Sequence, residues 1–206
     1  RLAEPAREAL RNVARAAFRA DRLEAHFLKA FSAEVADDDL RAVIEIEQTP
    51  LARRVAAVEG ARSRRLATDP QQVAAAEARA GSERRAIAEA IERAVQGADL
   101  MAAGLAGAAA AIALASPEEA RARVGDLLQK SRAEAEPLLR RAFVGAVLFL
   151  YEPLTDAELR ELLALQKRPE VARLNRAIGL GLATTVQESL SEFLAGVQPV
   201  VAAARR

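Results

Sequence analysis

Cysteine is missing from the 206 residues, and so is tryptophan; there is one tyrosine, one methionine and one histidine. Without a thiol there is no disulfide framework, no cysteine nucleophile, no thiolate zinc site and no cysteine-held iron–sulfur cluster. A surplus of either charge is lacking too. Thirty Lys and Arg face 29 Asp and Glu, giving a net charge of +1. Residues 1–103 carry 17 basic and 17 acidic side chains, and residues 104–206 carry 13 and 12. Neither half forms the basic block that neutralises a phosphate backbone, so nucleic acid is not an expected partner.

What is abundant is alanine, with 51 copies, and apolar residues make up 51% of the chain. High apolar content with almost no net charge argues against disorder. A compact chain of this length buries about 70% of its unfolded surface, and one domain over 1–206 is expected. Ala, Leu, Arg and Glu lose little on entering a helix, and no alternating run bounded by Asn-Gly or Asp-Gly suggests a strand. The expected fold is all-α, a single compact bundle of about seven to nine helices.

Start signals divide it. Thr49-Pro50, Asp69-Pro70 and Ser116-Pro117 place a capping side chain before a first-turn proline, and Thr155-Asp156-Ala157-Glu158 is a capping box. Pro137 and Pro153 should kink or end their helices. The resulting segments are 5–31, 37–48, 50–67, 70–80, 82–115 (broken near Gly97), 117–150, 155–167 and 169–197. The run Leu100–Ala115 has no charge but is shorter than the ~20 residues of a membrane span, and it reads as a core helix. Ala142–Tyr151 reads as a helix buried on all sides. Ile87, Ile91, Ala94, Ala98, Met101, Leu105, Ala108 and Ile112 alternate at four and three, a seam for close helix packing.

Laid on itself at an offset of 119, the chain repeats a pattern. Asp37, Leu40, Arg41, Pro50, Arg54 and Gly60 meet Asp156, Leu159, Arg160, Pro169, Arg173 and Gly179 without a gap. Apolar character is kept at Val43/Leu162, Ile44/Leu163, Ile46/Leu165 and Val55/Leu174. Each copy is an acidic start, a short amphipathic helix, a proline corner and a second helix. The expectation is a pseudo-twofold repeat of about 37–60 and 156–179, with repeat units of about 20–67 and 139–197 joined by 70–138.

The stretch Leu154–Ile178 resembles the domain-of-unknown-function family 2059, small helical proteins of the bacterial envelope that are often exported. Leu154-Thr155, Glu158-Leu159, Leu162 and Pro169 match its pattern. Leu165-Gln166 stand where an aromatic pair is usual, and Arg168 and Val171 replace a serine and a glycine. The resemblance implies a helical fold and a periplasmic address; it brings no catalytic residue. The chain opens on Arg1 rather than methionine, which is compatible with a removed export signal.

Chemistry is sparse. His26 has no second ligand within helical reach. Asp37-Asp38-Asp39 point about 100° apart on a helix, so they complement its dipole rather than converge on a cation. Glu45 and Glu47 point to different sides and make no acid/base pair. Gly179-Leu180-Gly181 follows no strand and lacks the third glycine of a phosphate loop. The basic clusters Arg62-Ser63-Arg64-Arg65, Arg84-Arg85 and Arg140-Arg141 read as solvated helix faces, and Tyr151 should turn its hydroxyl toward the Pro153 corner. No catalytic, cofactor-binding or metal residue is assigned, and no enzyme is expected. The function expected is a non-catalytic interaction or scaffold module of the envelope, binding a protein or a second copy of itself. The alternative is a carrier of an apolar ligand or lipid, its cavity walled by Val144, Val147, Phe149 and Leu150.

Overall fold

The computed structural model describes residues 4–115 and 118–204. Among them are ten helices and no strand: α1 (Glu4–Ala17), α2 (Ala20–Glu34), α3 (Asp37–Glu47), α4 (Pro50–Thr68), α5 (Pro70–Arg79), α6 (Ser82–Val95), α7 (Gly97–Ala115), α8 (Glu118–Leu150), α9 (Asp156–Gln166) and α10 (Pro169–Ala204). The fold is all-α. No single helix is long and apolar enough to cross a membrane. The Ser116-Pro117 start lies outside the described residues.

Local chemistry sets most of the starts. Thr49 Oγ1 accepts the Ala52 N–H at 3.3 Å, and Asp69 Oδ1 accepts that of Gln72 at 3.1 Å. Both satisfy a first-turn donor just before a proline that has none to offer. Thr155 and Glu158 complete the capping box at α9. The helix expected over 5–31 is instead two helices, parted at Phe18 and Arg19 with neither Gly nor Pro to mark the break. Here Arg19 forks onto Asp21 at 3.0 and 2.7 Å, while the Phe18 ring packs 6.0 Å from that of Phe193. A tertiary contact and a local ion pair override helix propensity there. Conversely, α8 runs on through Pro137 and α10 through Pro199.

A second correction concerns the seam of 87–112. Gln96 adopts the left-handed conformation (φ 55°) and ends α6, and α7 departs at a 45° bend. Gly97 is needed at that bend because a Cβ would collide with the Phe143 ring. The bend changes the register. Ile87, Ile91 and Ala98 are buried as the seam requires, but Met101, Leu105 and Ile112 are 44%, 59% and 43% exposed. The buried side of α7 is Ala102, Ala103, Gly107 and Ala111.

The chain gathers into two compact units. One comprises Arg1–Glu34, Ala102–Ala133 and Ala177–Arg206; the other comprises Val35–Met101 and Glu134–Arg176. In the first, Gly107 lies against the backbone of Ala183, Gly181 against Phe27 and Gly196 against Val13. The second has a core of large side chains, among them Leu51, Ile87, Ile91, Val147, Leu148, Phe149, Leu159 and Leu162.

Candidate functional site

In the second unit, polar side chains converge on the corner between α8 and α9. Pro153 supplies no N–H, and several carbonyls there face inward. The Arg84 guanidinium collects three of them, donating to Tyr151 O at 2.6 Å, Leu154 O at 3.0 Å and Glu152 O at 3.4 Å, and it also pairs with Asp156 at 2.5 Å. Glu152 receives Arg79 at 2.7 Å and Arg62 at 2.8 Å, and these two guanidiniums hold its carboxyl below the ordinary carboxylate range. The Arg62 guanidinium also covers the Phe149 ring at 4.3 Å. Tyr151 donates its hydroxyl to Glu59 on α4, and burial first, then that carboxylate, pushes the phenol far above its ordinary value. Each of these side chains is engaged with another protein group, although the buried Arg62 Nε itself has no hydrogen-bond partner, and together they lock the corner.

Beside it lies a groove of about 190 Å³. Its walls follow the 119-residue offset: Val43 and Leu162, Ile46 and Leu165, Glu47 and Gln166, Ala52 and Val171, Val55 and Leu174, Ala56 and Asn175 all line it, with Glu59 added. Two ion pairs at its margins are reciprocal. Arg54 binds Glu158 at 3.1 Å, and Arg173 binds Asp39 through Nε at 2.7 Å. Arg54 corresponds to Arg173 and Asp39 to Glu158, so each segment's arginine reaches the other's acid. In an isologous contact, residue i meets j and j meets i. The helices agree too: α3 and α9 each have eleven residues and end on C-cap residues of matching dihedrals, Gln48 (φ −81°, ψ −9°) and Lys167 (φ −82°, ψ −7°). The polar lining is uneven. Segment 37–60 contributes two carboxylates, Glu47 and Glu59; segment 156–179 contributes two amides, with Asn175 donating to Gln166 at 3.3 Å.

A second cleft, about 380 Å³, opens where α5, α6 and α8 meet. Arg85, Arg93, Arg140 and Arg141 alternate there with Glu77, Glu89 and the buried Glu92. Opposite charges interleave, which leaves no field of one sign.

The residues singled out in the sequence are scattered. His26 packs in the first unit with its Nε2 3.5 Å from Glu192 Oε1, too far for a good hydrogen bond. Asp38 pairs with Arg41 and Asp39 with Arg173, so the acidic triplet does not converge, and no metal-binding group occurs among the described residues. Glu47 lines the groove; Gly181 lies inside α10 against Phe27. The basic clusters are not simply solvated: Arg62 and Arg84 turn inward to acids, Arg85 donates to Glu77 O at 2.8 Å, and Arg140 pairs with Glu136 at 3.0 Å. Tyr151 reaches across to Glu59 rather than to its own corner. Of the residues expected to wall a cavity, Val147 and Phe149 are packed core, and Val144 belongs to the same core while also bordering the charged cleft. The sequence assigns no site role to Glu59, Gln166 or Asn175, although extending the offset to each apolar pair's neighbours brings up Gln166 and Asn175. No family model matches the chain, and neither curated proteins nor solved structures match it.

Proposed function

We propose that this protein is a non-catalytic helical interaction or scaffold module of the bacterial cell envelope, built in part from two copies of one duplicated unit, 37–60 and 156–179. One observation carries the interaction reading. The first unit turns large apolar side chains outward: Phe18, Leu28, Leu105, Leu180 and Leu182 are between 40% and 59% exposed, while alanine and glycine fill its helix contacts. Surface of that kind gains most by being covered. The duplication is supported by the reciprocal ion pairs and by the paired groove lining. The envelope address is supported by the resemblance of Leu154–Ile178 alone.

The test is a photo-cross-linking residue at Leu105 in the full gene product, followed by fractionation. Recovery of a defined adduct in the envelope fraction, lost on Leu105→Lys, is expected. Irradiation that gives no adduct, or an adduct in the cytoplasm alone, overturns the proposal. The groove favours a second reading, carriage of a small apolar ligand. At about 190 Å³ it is smaller than the ~300–1,000 Å³ of drug-sized ligand pockets, which suits a small molecule rather than a whole lipid.

A further inference from the structure

The 119-residue correspondence also exposes an unequal pair of surfaces. Asp156, Leu159, Arg160 and Leu163 form one face of α9, at i, i+3, i+4 and i+7. That face is covered by α6. Leu159 is 1% exposed in a cluster with Ile87, Ala88 and Ile91, and Leu163 packs against the same cluster. Two ion pairs frame it, Arg84 with Asp156 and Glu83 with Arg160. The matching face of α3 is Asp37, Leu40, Arg41 and Ile44: the same three residues at the same three positions, with Ile for Leu at the fourth. Within its own unit no helix covers it as α6 covers α9, although Leu40 is half-buried. Ile44 is 56% exposed, and Arg41 pairs only with the highly exposed Asp38 within its own helix. Three of the six identities shared by the two segments therefore fall on a face that is covered once.

We propose that this face of α3 is a docking site for an amphipathic helix of a partner protein, one that carries an adjacent acidic–basic pair in its first turn and an Ile/Ala stripe behind it, as α6 does. The charges are complementary: the acid meets Arg41 and the base meets Asp37, as Glu83 meets Arg160 and Arg84 meets Asp156. A second copy's α6 is not the occupant, because Ile87 and Ile91 are 7% and 2% exposed within their own unit. The inference rests on the interaction reading and adds a named surface in the other unit.

The probe is a peptide of residues 81–96, stapled as a helix because isolated helices below ~12–15 residues are marginal in water. Titrated against the full chain, it should bind, and Ile44→Asp should weaken binding about tenfold or more. Arg41→Glu should weaken it as well, with affinity recovered by a peptide carrying Glu83→Lys. Both variants alter exposed positions, and circular dichroism verifies their fold. Binding weaker than about 1 mM overturns the proposal. So does binding indifferent to Ile44→Asp, or an Arg41→Glu loss that Glu83→Lys does not restore. Cross-linking at Leu105 reads the other unit, so failure here and failure of the interaction reading are separate results.

Discussion

The two units use opposite means to hold helices together. In the second, Phe149, Leu159 and Leu162 are 1%, 1% and 4% exposed and interdigitate with Ile87, Ile91 and Leu148. In the first, the buried described residues are Ala17, Ala102, Ala103, Gly107, Ala111, Ala177, Gly181, Thr185 and Ser189, while Leu28, Leu105, Leu180 and Leu182 are exposed and Leu10, Leu23, Leu190 and Leu194 half-buried. Burial of a large apolar side chain contributes about 1.5–3 kcal/mol, whereas an alanine contact gains chiefly from close approach of two backbones. Large side chains therefore supply more of the burial in the second unit, and close backbone approach supplies more of it in the first.

That contrast breaks most visibly at Phe149. Phe149→Ala removes a buried ring and uncovers Arg62, and should cost about 3–5 kcal/mol. Hydrogen exchange resolved by segment should show the loss spread through α4, α6, α8 and α9; an effect below about 1 kcal/mol would mean that the second unit is not held by this core.

The first unit is sharpened at Gly107. A Cβ there would collide with the Ala183 carbonyl, a backbone atom that cannot rotate away. Gly107→Ala should therefore lose about 1–3 kcal/mol to overpacking despite alanine's better helix propensity. Gly60→Ala, with nothing within 4 Å, should instead gain up to about 1 kcal/mol. Denaturant melts of the two variants check the signs, and equal shifts would deny that backbone contact matters in the first unit.

The smallest effect is electrostatic. Arg79 and Arg62 lower the Glu152 carboxyl in the folded chain, so their stabilisation is present above its ordinary value of 4.5 and lost as pH falls through the lowered value. Because Glu152 is 35% exposed, about 1 kcal/mol or less is at stake. Glu152→Gln should melt earlier than the parent at neutral pH, and the gap should close in acid. A gap that persists in acid would assign the loss to packing instead.

Much of the helix plan was legible because it rests on contacts three residues apart. Thr49, Asp69 and the Thr155–Glu158 box cap the helices they announce, and α3 and α9 begin at the expected residues. Less of the candidate site was. Glu59 meets Tyr151 across 92 positions and Arg84 meets Asp156 across 72, and no periodicity encodes such distances. In the basic clusters Arg64, Arg65, Arg85, Arg140 and Arg141 are exposed as expected, but Arg62 and Arg84 face acids, because a run of arginines looks the same whether it meets water or an acid on another helix. The 142–151 run is buried on one side only, with Val144, Val147, Leu148 and Phe149 inside and Ala142 exposed, since apolar content does not reveal which faces a neighbour covers.

The sequence by itself determined the helical class, the capped starts and the matching of 37–60 with 156–179, because each depends on short-range donors, acceptors and repeating side chains. Only the tertiary structure decided where the first helix breaks, which way α7 turns Leu105, and that Leu159 is buried on one acidic helix face while Ile44 is exposed on its counterpart. Those outcomes depend on the Phe18–Phe193 contact, the left-handed Gln96 and the placement of α6, each a matter of long-range packing rather than of local propensity.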